Sequence, residues 1–180
     1  MNEAYPAGIA RQSEAVRAAE SPALGSVEEL SALYHDGYHR FVRFAESITR
    51  DPDEARDAVQ EGFANALRGL DRFRGRGSFE GWVWRCVTNA ARMARRRSRL
   101  SALVPLREQA DASSPAGPVW ELVAALPERQ RLVLFLRYFA DLSYDGIAEA
   151  LDIAPGTVAA TLNAAQRTLR LQLEEVDDAH

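Results

Sequence analysis

Between residues 27 and 173 the apolar side chains recur at three- and four-residue steps, and no segment alternates with period two. That spacing admits amphipathic helices and excludes a half-buried sheet. Leu30, Leu33, Tyr34, Tyr38, Phe41, Val42 and Ala45 make one stripe, and Ala55, Val59, Phe63, Leu67 and Leu70 a second. Asp51-Pro52-Asp53 lies between them, breaking the first helix and capping the next, with Pro52 at a tolerated first-turn position. A third helix is expected over Glu80–Arg97, with Trp82, Cys86, Asn89 and Met93 along one side. The stretch SALVPLREQADASSPAGP (101–118) is dominated by small residues and prolines and reads as a flexible linker. Beyond it, Trp120, Leu122, Val123 and Leu126 lead to Pro127 and the apolar helix ERQRLVLFLRYF. Tyr144–Leu151 and Pro155–Leu173, joined by Asp152-Ile153-Ala154, have the form of a helix-turn-helix unit. The expected fold is therefore all-α. Two small helical domains, 27–100 and 119–173, lie between a mobile arm (1–26) and an acidic tail (174–180).

The charge is unevenly placed. The formal net charge is −4, and every one of the 22 cationic side chains is Arg. From Val27 to Leu70 nine acids face five arginines; from Asp71 to Arg99 nine arginines face only Asp71 and Glu80. A basic block of this kind is the footprint of a phosphate-binding surface. Within it, LDRFRGRGSFEGWVWR (70–85) interleaves four arginines with Phe73, Phe79, Trp82 and Trp84, whereas a merely solvated face gains nothing from aromatics. Aromatic rings stack on unstacked bases, Arg contacts phosphate or base, and Gly75 and Gly77 permit close backbone approach. Arg72, Phe73, Arg74, Gly75, Arg76, Gly77, Ser78 and Phe79, with the basic helix behind them, thus have the parts of a site that captures a base out of its stack.

Other chemistries find little support. His35 and His39 stand four apart, but no carboxylate or thiol at ligand spacing completes a metal set. Cys86 is the lone cysteine, so no intrachain disulfide forms, and it reads as a buried, inert thiol. No phosphate loop, dinucleotide fingerprint, nucleophile constellation or general-base pair stands out, so neither a cofactor nor an enzyme is expected. Glu3, Arg11, Glu14, Arg17 and Glu20 interrupt the N-terminal apolar runs, and no run reaches bilayer length; no membrane insertion and a cytoplasmic location are expected.

DEARDAVQEGFANALRGLDRFRGRGSFEGWVWRCVTNAARMARRR, followed after the linker by LPERQRLVLFLRYFADLSYDGIAEALDIAPGTV, resembles the bacterial RNA polymerase sigma factors of the extracytoplasmic-function class. The resemblance runs from about Val27 to Leu173 and includes both halves in order. It implies binding to core RNA polymerase, direction to promoter DNA, DNA opening, and control by an anti-sigma factor. On this resemblance Asp53, Asp57, Gln60 and Glu61 would dock on the polymerase. The loop 72–79, with Asn89 at its floor, would hold a base flipped from the minus-ten element, and Arg85, Arg92, Arg95 and Arg96 would contact neighbouring phosphates. Thr157, Ala160, Thr161, Asn163 and Arg167 would face the minus-thirty-five element.

Two features depart from the family pattern. Members usually carry Lys or Arg at several of the positions held here by Ala159, Thr161, Ala164 and Gln166. That leaves open an adaptor-like role in which the second domain mainly meets protein. Gly146 replaces a better helix former, costs about 1 kcal/mol relative to Ala, and denies Ser143 the reciprocal Glu or Gln of a capping box.

Overall fold

A computed structural model describes residues 25–75, 77–101 and 118–178. The arm up to residue 24, Arg76, the linker interior 102–117 and the last two residues of the tail lie outside the described residues. All regular structure among those described is helical.

The first domain is α1 (Val27–Thr49), α2 (Pro52–Gly69) and α3 (Phe79–Ser101). Ser26 caps α1 by accepting the Glu29 N–H at 3.1 Å, and Arg50 ends it in the left-handed region at φ 62°. One residue later the Asp51 carboxylate accepts the N–H groups of Asp53 and Glu54 at 2.9 and 2.8 Å, so the expected break-and-cap is formed as read. The core centres on Trp84, fully buried, stacked on Phe41 at 3.9 Å and edge-on to Phe44 at 5.2 Å. Phe41 in turn meets Phe63 at 4.9 Å. At the α2–α3 crossing a β-carbon on Gly62 would stand 2.7 Å from the Val87 Cα, so these helices meet backbone to backbone.

The structure moves the α3 stripe. Val83, Trp84, Val87, Thr88, Ala91 and Ala94 face inward, whereas Met93 and Asn89 are exposed and Trp82 and Cys86 half-buried. The periodic set read from sequence thus follows the edge of the apolar face, because small alanines rather than large residues fill the crowded seam. For the same reason Leu67 is exposed, and the inner positions of α2 belong to Ala58, Gly62 and Ala66. On α1, Phe44 and Ile48 complete the buried face.

The second domain comprises α4 (Pro118–Ala125), α5 (Glu128–Tyr138), α6 (Tyr144–Leu151) and α7 (Pro155–Asp178). Ser143 caps α6 by accepting the Gly146 N–H at 3.1 Å. Asp152, at φ 58°, closes that helix and turns the chain into α7. Val158, Leu162 and Ala165 are buried, with Leu169 packed against the core, as their four-three-four spacing predicts. The helix then continues through Asp178, so the segment expected to be a separate acidic tail begins as helix.

The two domains pack together: α6 lies against α3, and α5 against α1. This explains why six consecutive residues of α5, Arg131–Leu136, are all buried. A helix apolar all round is a helix covered all round. Phe135 meets Phe44 across the junction at 5.6 Å. Arg131 donates to the Ala124 and Leu126 carbonyls, both at 3.1 Å, and across the junction to the Ser47 carbonyl at 3.1 Å.

Candidate nucleic-acid interface

The loop between α2 and α3 is shaped at both ends by local hydrogen bonds. A single 3₁₀ turn, Leu70–Arg72, closes with the Phe73 N–H on the Leu70 carbonyl at 3.0 Å. At the far end the Ser78 hydroxyl accepts the Gly81 N–H at 3.0 Å and starts α3, so this side chain is already engaged as a cap. Between them Gly75 and Gly77 take φ of 67° and 82°, values that disfavour any side chain. The backbone freedom that glycine supplies is thus used at both positions.

The aromatics of the stretch are not a free stacking platform. Trp84 is core. Phe79 is buried, and it forms a triad with Phe73 and Trp82 whose ring centroids are 5.3–5.7 Å apart. Gly25 packs over Phe73 and Phe79 so closely that a β-carbon there would sit 2.8–2.9 Å from both rings. These rings anchor the loop; Phe73 and Trp82, half-buried, retain partial access. What the loop shows to solvent is its arginines, since Arg72 and Arg74 are exposed. Arg76, the third of that set, lies outside the described residues.

Along α3, residues 85, 89, 92 and 96 follow steps of four, three and four, which puts Arg85, Asn89, Arg92 and Arg96 on one face. Asn89 is exposed there, about 15 Å along the helix from Phe79 by helical rise, so its place is on the arginine face. Arg92 and Arg96 are exposed. The other two arginines are engaged by the second domain. Arg85 pairs with Asp152 at 3.2 Å, and Arg95 with Glu128 at 3.0 Å. Partial burial, aided by Arg99, holds the Arg95 guanidinium below the usual arginine range despite Glu128.

On α2, Asp57 and Gln60 are exposed, and so are Asp53, paired with Arg56, and Glu61, which accepts from Asn65 at 3.1 Å and Arg68 at 3.2 Å. Exposed pairs of this kind contribute about 0–1 kcal/mol and are readily exchanged for a partner's groups. On α7, Ala160, Asn163 and Arg167 are exposed, while Thr157 and Thr161 are half-buried. Gln166 donates to the Tyr138 hydroxyl at 2.8 Å, tying the far end of that outer face to the last residue of α5.

Sequence reasoning missed the groups that the second domain brings to this site: Glu149, Asp152 and the facing glycines 81 and 146. Each reads locally as a helix residue or a turn, and only the packing of α6 on α3 gives it a place here.

Among the described residues no group of three or more His, Cys, Asp or Glu side chains is placed to hold a metal, and no helix is long and apolar enough to cross a membrane.

The sigma-70 region 2 family matches residues 33–100, and the sigma-70 region 4 family residues 117–169. The chain is 29% identical over 157 residues to the RNA polymerase sigma-H factor of Pseudomonas aeruginosa, covering 76% of this chain and 81% of that protein. It is 31% identical over 134 residues to the ECF RNA polymerase sigma-E factor of Escherichia coli, covering 63% of this chain and 70% of that protein. In fold it resembles the sigma factor RpoE solved with the anti-sigma factor NepR from Bartonella quintana, with a TM-score of 0.63, 21% identity, and coverage of 82% of this chain and 98% of that one. CnrH, solved with the cytosolic domain of CnrY, gives a TM-score of 0.61 at 21% identity, covering 84% of this chain and 91% of that one. With its helical fold, its basic loop and its two matched regions, the chain belongs to the extracytoplasmic-function sigma factors, which direct RNA polymerase to promoters at transcription initiation.

Proposed function

We propose that the loop Arg72–Phe79 and the arginine face of α3 form the minus-ten element site of this sigma factor. The carrying observation is the loop's construction: two left-handed glycines present exposed Arg72 and Arg74 above an aromatic triad, next to Arg85, Arg92 and Arg96 on one helical face. Arginines on the loop and helix suit the phosphates of a separated strand, and the half-buried rings of Phe73 and Trp82 suit one extruded base. Arg95 would join the phosphate contacts once released from Glu128. Asp53, Asp57, Gln60 and Glu61 form the exposed face of α2 that meets the polymerase.

The second domain reads the minus-thirty-five element through Thr157, Ala160, Thr161, Asn163 and Arg167. Asn163 suits adenine, and the alanine and threonine methyls suit thymine, so an A·T-leaning readout with few phosphate anchors follows. The protein works in the cytoplasm as a regulatory subunit rather than an enzyme. Its solved neighbours were captured with anti-sigma factors, which supports the same kind of control here.

The test is a double substitution, Arg72→Ala with Arg74→Ala, assayed on reconstituted polymerase. Promoter opening, read as permanganate reactivity of minus-ten thymines, should fall at least tenfold while polymerase affinity stays within twofold. Equal loss of opening and polymerase binding would reject this division of labour.

A further inference from the structure

The outward face of α7 changes chemistry halfway along. Gly156, Ala159 and Ala160 make its beginning and offer no charged or hydrogen-bonding side chain. Asn163, Gln166, Arg167 and Arg170 continue the same face at three- and four-residue steps, and all four are exposed. This second stretch spans about 10 Å by helical rise. Neither Arg167 nor Arg170 is paired with a carboxylate among the described residues. Glu174, exposed one turn further on the same face, would repel an anion and so ends the basic stretch. The last residue of α5 adds a neutral donor beside it. Tyr138 is 60% exposed, and its hydroxyl accepts the Gln166 amide at 2.8 Å. A phenol oxygen that accepts this bond keeps its own proton to donate. Arg137, the preceding residue, is already engaged with Asp141 and the Leu142 carbonyl, so Tyr138 is the group α5 has to offer.

We infer that Tyr138, Arg167 and Arg170 form a strip that grips the phosphate backbone of double-stranded DNA, with Gln166 as the residue that positions Tyr138. The inference rests on the reading of α7 as the minus-thirty-five helix. It supplies the anchors that Ala159, Thr161 and Ala164 do not, later along α7 and from a second helix. The two kinds of anchor differ in physics. An arginine that meets a phosphate releases counterions, so its contribution fades as salt rises. The tyrosine carries no charge, so its hydrogen bond strengthens binding by the same factor at every salt concentration.

The experiment uses reconstituted polymerase carrying the full chain. The probe is a fluorescein-labelled duplex selected from a random-sequence library by the wild-type complex, and anisotropy is measured across a range of salt. Arg170→Gln should flatten the dependence of log affinity on log salt by about one unit. Tyr138→Phe should weaken binding about three- to tenfold with the slope unchanged. Gln166→Ala should weaken it too, and should add little to Tyr138→Phe in the double variant, because both remove the same contact. Fully additive losses would overturn the positioning role of Gln166. Asn163→Ala separates the remaining failures. If it weakens binding while Tyr138→Phe and Arg170→Gln match wild type, the strip is refuted and the reading of α7 stands. If all three match wild type, that reading fails and the strip with it.

Discussion

Replacing Arg131 by Met should destabilise the protein by about 2–4 kcal/mol, although it removes a positive charge that sits near Arg50 and Arg95. The magnitude follows from what the guanidinium satisfies. It donates to three carbonyls, those of Ala124, Leu126 and Ser47. Only the Leu126 bond is fully buried, and leaving that carbonyl unpaired costs about 1–3 kcal/mol. The other two are partly exposed, so water replaces the donor and each loss amounts to about 0.5–1 kcal/mol. Against this stands relief from burying the charge, which already holds the Arg131 guanidinium below the usual arginine range with Arg50 acting in the same sense. Met fills a similar volume but restores no donor, so the carbonyl deficit outweighs that relief. Urea unfolding followed by circular dichroism should show a midpoint lower by about 1–2 M, given a slope near 2 kcal/mol/M. Arg131→Lys should recover part of the loss. A midpoint unchanged within about 0.3 M at equal slope would refute the reasoning and show that these carbonyls find water without cost.

Three further outcomes follow from the structure. Burial pushes the Cys86 thiol up, against the opposing pull of Arg85. Its alkylation by iodoacetamide at pH 8 should therefore run several-fold slower than that of an unfolded thiol, and unfolding in urea should abolish the difference. Because the folded pKa exceeds the unfolded one, the same group favours the native state below the ordinary thiol range and loses that advantage as pH rises through the folded value. Cys86→Ala should accordingly flatten the fall in stability at alkaline pH. On the exposed face of α7, Ala160→Arg should add one phosphate contact and steepen the salt dependence of double-stranded promoter binding by about one unit; an unchanged slope would place this face away from DNA.

The fold class, the helix boundaries near Asp51 and Ser143, and the basic loop were all legible in the chain. They depend on local physics: period, capping chemistry and the sign of side-chain charge. The seams were less legible. Periodicity counted large residues, so it assigned Leu67 and Met93 to buried stripes. The close crossing of α2 and α3 instead selected Ala58, Gly62 and Ala66, and left both large residues exposed. Trp84 illustrates the same limit, since its neighbours made it look like part of a stacking surface until Phe41 and Phe44 closed over it.

By itself the amino-acid sequence determined that this protein is helical, that its arginines gather on one loop and one helix, and that its motifs are those of a promoter-specificity subunit. Only the tertiary structure decided which of those arginines stand free. Arg72, Arg74, Arg92 and Arg96 are open to solvent, while Arg85 and Arg95 answer to Asp152 and Glu128 from residues 67 and 33 positions further along. The reason is physical. Local spacing governs which residues share a helix face, but the meeting of two helices depends on backbones close enough to touch, and here Gly81, whose β-carbon would stand 3.0–3.1 Å from the Gly146 backbone, lets them do so.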